Sequence, residues 1–195
     1  MIEFIKNNWL NLLLVLVGAS AIFVYALQKV NEKKAAATKV LLQVDQIEKT
    51  IATLKTIKEI DNVSIYKIPM ILLHNSWEEC GYQFYGSMGR DDIRLIDEFF
   101  SCAAELEKSR AAICHAIAVA WEHKDAELQA KIAELISEKR DIEAELAPFC
   151  SSFYNRSDVF TARLPLEILL TNLNGFKSLS GTTAYKRLQE ISYRK

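Results

Sequence analysis

Between Lys6 and Lys29 the chain carries no charged residue, and from Trp9 to Leu27 only Asn11 and Ser20 are clearly polar. At about 1.5 Å of rise per residue a helix over this stretch reaches roughly 28 Å, close to the hydrocarbon thickness of a bilayer. A helix is also the form that satisfies each backbone polar group where no water is present. The segment therefore predicts a transmembrane helix over 9–28, with Trp9 and Tyr25 near its ends, where amphipathic rings favour the headgroup layer, and Gly18 near its middle. A cleaved secretory signal is the alternative, with Val24 and Ala26 in the small-residue positions before a cut at Leu27. Two features count against it. The apolar region exceeds the roughly 7–15 residues usual for such signals, and Glu3 offsets Lys6 in the segment ahead of it.

Orientation follows from the flanks. Lys6 lies before the span, whereas Lys29, Lys33, Lys34 and Lys39 follow it closely. Positive charge stays on the cytoplasmic side, so the expectation is a single-pass protein of the inner (cell) membrane, with residues 1–8 outside and the C-terminal domain in the cytoplasm.

The remaining roughly 165 residues are enough for one modest domain. The 24 Lys and Arg against 25 Asp and Glu offer no excess of positive charge, and nucleic acid is excluded as the expected partner. Charge is uneven locally. Residues 78–108 are acidic, with Glu78, Glu79, Asp91, Asp92, Asp97, Glu98, Glu105 and Glu107, whereas 177–195 carry Lys177, Lys186, Arg187, Arg194 and Lys195. These segments are solvated faces or complement each other within the fold or, for the basic tail and the juxtamembrane lysines, meet anionic lipid. Cys80, Cys102, Cys114 and Cys150 show no C-x-x-C spacing and read as packing residues. Asn62-Val63-Ser64 and Asn155-Arg156-Ser157 match the glycosylation acceptor pattern, which has no meaning on the cytoplasmic side.

Glycine and proline are missing from 19–68 and from 90–147, and both runs read as long helices. In the first, Val30, Ala37, Val40, Val44, Ile47, Ile51 and Leu54 recur at spacings of three and four, with Lys33 as the gap. Over 29–60 this predicts a juxtamembrane amphipathic helix of coiled-coil character. The stripe Val40, Val44, Ile47, Ile51 and Leu54 serves either pairing between chains or packing against the chain's own later helices. Asp61-Asn62 offers its end. Beyond it, 61–195 reads as a helical domain, and the fold class is all-α, a helical bundle behind a membrane anchor.

Within that domain a short helix is expected to begin near Pro69, followed by the turn Gly86-Ser87-Met88-Gly89 and a helix capped by Asp91 or Asp92. One helix over 91–147 would extend roughly 85 Å, so a break is expected around Trp121 to Asp125, with Asp125 capping the second part. Glu127 with Lys131 and Lys139 with Glu143 have i,i+4 spacing, and Pro148 is the expected terminus. Two short helices remain, Pro165 to Asn174 closed by Gly175, and Thr183 to Ser192 started near Gly181-Thr182.

The sequence contains no constellation that carries chemistry. Neighbours such as Cys114 and His115 point about 100° apart on a helix, and His115 and Glu122 are two turns apart. His74, His115 and His123 have no metal-ligand spacing, and there is no phosphate loop or nucleophile elbow. Catalytic, cofactor and metal residues are accordingly none, with no enzyme activity and no small-molecule substrate expected. Arg110 interrupts an apolar stripe and needs either an acidic partner, from 91–107 or a neighbouring helix, or an escape to the domain edge.

The run Asn7-Asn8-Trp9-Leu10-Asn11-Leu12-Leu13-Leu14-Val15-Leu16-Val17-Gly18 resembles the start of uncharacterised single-span membrane proteins of Firmicutes, some carried on mobile elements. The likeness covers the span and the helical stretch after it and implies no activity or site residues. The expected function is a bacterial membrane-anchored scaffold or regulatory protein whose partners are the lipid bilayer and a protein, or a second copy of itself. A phage-related or toxin-like effector that acts by assembling in the bilayer is the alternative.

Overall fold

The computed structural model of the chain describes residues 2–56, 69–154 and 163–193. The expected helix end at Asp61-Asn62, both acceptor triplets, and Arg194 and Lys195 lie outside the described residues. Among the described residues the structure is all-helical, with no strand. Its elements are α1 (Ile2–Thr56), α2 (Ser76–Cys80), a 3₁₀ turn (Gly81–Phe84), α3 (Arg90–Ser137), α4 (Ile142–Tyr154), α5 (Arg163–Gly175) and α6 (Thr183–Tyr193). Two compact units are formed, one from Met1–Gln46, His74–Phe100 and Ser178–Lys195, the other from Ile47–Leu73 and Ser101–Lys177.

In the first unit, Ala37, Val40, Leu41 and Val44 of α1 are buried along with Trp77, Phe84, Ile96, Phe99, Ala184 and Leu188. Pro69 does not start a helix. Residues 69–75 are irregular, and α2 begins only after Asn75, whose side chain accepts from the N–H groups of Trp77 and Glu78 at 3.1 and 3.3 Å. A good N-cap overrides the weaker preference of proline for a first turn. Asp91 and Asp92 are likewise not caps. Gly89 precedes α3, its carbonyl accepting from Ile93 at 3.1 Å, and the two acids occupy the first turn. Their charge still lies against the positive end of the helix. α6 starts as expected, with Gly181 at φ 89° and the Thr182 hydroxyl accepting from Tyr185 N–H at 3.3 Å.

In the second unit α3 runs through Trp121 to Asp125 without interruption and stops at Ser137. The stop is a Schellman turn. Arg140 N–H donates to the Leu135 carbonyl at 3.0 Å and Lys139 N–H to that of Ile136 at 3.1 Å, with Lys139 at φ 53°. Asp141, not Asp125, caps the next helix, accepting from Glu143 and Ala144 at 3.0 and 3.3 Å. Pro148 does not end the region, because it lies inside α4. The expected ion pairs are also replaced. Lys131 pairs with Glu134 at 2.8 Å, and Lys139, out of the helix, leaves Arg140 to bridge Glu138 and Glu145.

Candidate functional site

The apolar half of α1 is its most unusual part. Each described side chain from Trp9 to Asn31 is exposed, including Trp9, Phe23 and Tyr25, and a side chain added at Gly18 would meet nothing within 4 Å. The window is long and apolar enough to cross a membrane, with 0% of it buried. From Ala36 onward the same helix is packed normally, so its character changes within about two turns. Soluble monomers rarely expose contiguous apolar surface of this extent, and where it occurs it marks a contact with protein, membrane or ligand. Ser20 carries its polar group without needing water, since its hydroxyl donates to the Val17 carbonyl at 2.8 Å.

Where the apolar stretch ends, polar side chains of α1 pair with one another. Lys29 donates to Glu32 at 2.8 Å and lies 5.8 Å from the centre of the Tyr25 ring, and Gln28 donates to the other oxygen of Glu32 at 3.1 Å. One helical turn and more beyond, α1 is pinned to the rest of the first unit. Lys39 meets Glu79 at 2.5 Å, and that hydrogen bond holds the carboxyl of Glu79 below its ordinary range and raises the ammonium of Lys39. Thr38 donates to Ser192 at 3.3 Å, and Tyr185 donates to Asp45 at 2.7 Å. Gln43 uses both ends of its amide, donating to the His74 carbonyl and accepting from Ser76 N–H at 2.9 Å.

α2 and the 3₁₀ turn are held by Trp77. Its ring stacks on Phe84 at 5.7 Å between centroids and 7° between planes, and its indole N–H donates to Asp97. Gly81 lies under that ring, where an added Cβ would meet Trp77 at 3.1 Å. The acidic and basic segments do meet in this unit, through Thr183 donating to Asp92 at 2.7 Å, while Arg187 pairs with Glu190 at 2.6 Å.

The stripe of Val40, Val44, Ile47, Ile51 and Leu54 is buried by the chain itself, at no more than 2% exposure for any of the five. Val30, counted with the stripe by spacing, is exposed and belongs to the apolar half of α1.

Arg110 is buried and does not snorkel. Its guanidinium takes Glu107 with two hydrogen bonds, Nε to Oε2 at 3.0 Å and Nη2 to Oε1 at 2.7 Å, and its Nη1 lies 3.6 Å from Cys114 Sγ. Glu107 Oε2 also accepts from Ile71 N–H at 2.8 Å. The pair thus fixes the irregular segment before α2 as well as itself. Glu107 raises the already high pKa of Arg110, so the group stays charged. His74, His115 and His123 are exposed, and no three-residue His, Cys, Asp and Glu cluster suited to a metal occurs among the described residues. No disulfide joins the four cysteines; burial pushes the thiols of Cys80 and Cys102 up.

No protein-family model matches the chain, and comparison with curated proteins and with solved structures returned no match.

Proposed function

We propose that this is a single-span membrane protein whose 9–28 helix holds a helical cytoplasmic domain against the bilayer, and that it acts through protein contacts as a scaffold or regulatory subunit. The uncovered apolar half of α1, in a helix whose other half is buried, carries the reading. The lysines at 29, 33, 34 and 39 set the orientation. The second unit supplies a surface for a partner. Past Ile117 the only fully buried residue of α3 is Leu135, and Trp121 and Ile136 are exposed, as are Ile168 and Leu170 on α5. Aromatic and aliphatic anchors of this type carry most of the energy of protein interfaces.

The test is a pair of C-terminal fusions in a bacterial host, one to a reporter active only in the cytoplasm and one to a reporter active only outside it, combined with alkaline extraction of membranes. The cytoplasmic reporter should be active and the protein should stay in the extracted membrane. Activity of the other reporter, or release by alkali, would overturn the topology.

A further inference from the structure

We propose that the 3₁₀ turn Gly81–Phe84 is a second membrane contact, in which Tyr82 enters the headgroup layer and Lys29 and Lys33 hold the phosphate of an anionic phospholipid. The inference rests on the membrane reading of residues 9–28. Tyr82 and Gln83 share an open cleft of about 280 Å³ with Lys29, Glu32 and Lys33 of α1. The positions on α1 are a depth gauge. Lys33 lies five residues past the end of the span, roughly 7.5 Å along the helix axis, and Lys29 lies one residue past it. The headgroup layer on each side of a bilayer is about 5–8 Å deep. An element that lines a cleft with these two lysines is therefore held within that layer by the fold.

Its chemistry suits the depth. Tyr82 and Tyr85 are both about two-thirds exposed, which is unusual for rings of this size facing water and ordinary for rings at a membrane interface. The charges facing the cleft are Lys29, Lys33 and Glu32, the last already taken by Lys29 at 2.8 Å. Lys34 and Lys39 add positive charge just beyond, and Glu79 offsets the second of them. The remaining excess is positive, and each lysine close to an anionic surface is worth about fivefold in lipid affinity.

The full-length chain is reconstituted in vesicles of equal parts phosphatidylglycerol and phosphatidylcholine, with a photocrosslinking residue at one of three positions: Tyr25→p-benzoylphenylalanine, Tyr82→p-benzoylphenylalanine or Gln46→p-benzoylphenylalanine. Gln46 is exposed on α1 about 27 Å past the span and should give no lipid adduct. Position 25 reports the span alone. Lipid adducts at 25 and 82, with phosphatidylglycerol favoured about fivefold or more at 82 and the preference lost in Lys29→Gln/Lys33→Gln, are the expected result. Adducts at 25 without adducts at 82 overturn the second contact and leave the span standing. Equal capture of the two lipids at 82, or adducts at 46 as strong as at 82, also overturns the proposal. Failure at 25 removes the membrane reading itself and the proposal with it.

Discussion

The pair of Arg110 and Glu107 shows how one buried charge organises its surroundings. Both side chains are largely removed from water, at 10% and 18% exposure, so desolvation is recovered only because the two hydrogen bonds are short and bidentate. The Ile71 N–H on the same carboxylate means that removing Glu107 leaves both a cation and a backbone donor unpaired. Glu107→Ala is expected to cost about 3 kcal/mol in a denaturant melt of the detergent-solubilised protein. The double variant Glu107→Leu/Arg110→Met should recover much of that loss. If the double variant is as unstable as the single one, the backbone contact to Ile71 matters more than the ion pair. Arg110 was recognisable from its place in an apolar stripe, and 91–107 already included its partner. The contact to Ile71 spans 36 residues and had no local signal.

At the scale of elements, the position of the break in the long second helical run was the largest difference from expectation. Helix length suggested a break near Trp121 to Asp125, but α3 continues through those residues to Ser137, so length alone is a weak argument. The true stop uses Lys139 in the left-handed conformation where glycine is the usual residue, so its signature is hidden in the sequence. A side chain there costs about 1 kcal/mol, so Lys139→Gly is expected to stabilise the protein by roughly that amount, read as a raised midpoint of thermal unfolding. A drop in the midpoint would show that Lys139 has contacts outweighing its strained backbone. The stripe on α1 raises a different question, since periodicity reports that a face is buried but not against what. Ile47 is completely buried in the single chain. Ile47→Ala should therefore cost about 2–4 kcal/mol and leave the detergent-corrected mass unchanged. A fall in mass with an unaltered melt would place the seam between chains.

For the whole molecule, the uncovered half of α1 and the packed half can be separated by mutation, because the described side chains from Trp9 to Asn31 are exposed. Leu16→Arg puts a charge near the centre of the span at a cost of about 2.5–3.5 kcal/mol for insertion. The protein should leave the membrane fraction while its cooperative melt is retained. Loss of the melt as well would mean that 9–31 contributes to the fold. Much of this architecture was determined by the sequence alone: the long apolar helix from an uncharged stretch, all-helical class from the spacing of apolar residues and the placement of glycine and proline, and the start of α6 from Gly181-Thr182. Those signals are local, set by side chains within a few residues of one another. Tertiary structure decided the rest. Asn75 rather than Pro69 starts α2, Gln43 binds residues 74 and 76, Glu107 captures Ile71, and Tyr82 comes beside Lys29 and Lys33. The Asn75 cap acts on N–H groups two and three residues on, whereas the other three join groups tens of residues apart, and such pairings depend on the geometry of packed helices, which no single stretch of sequence contains.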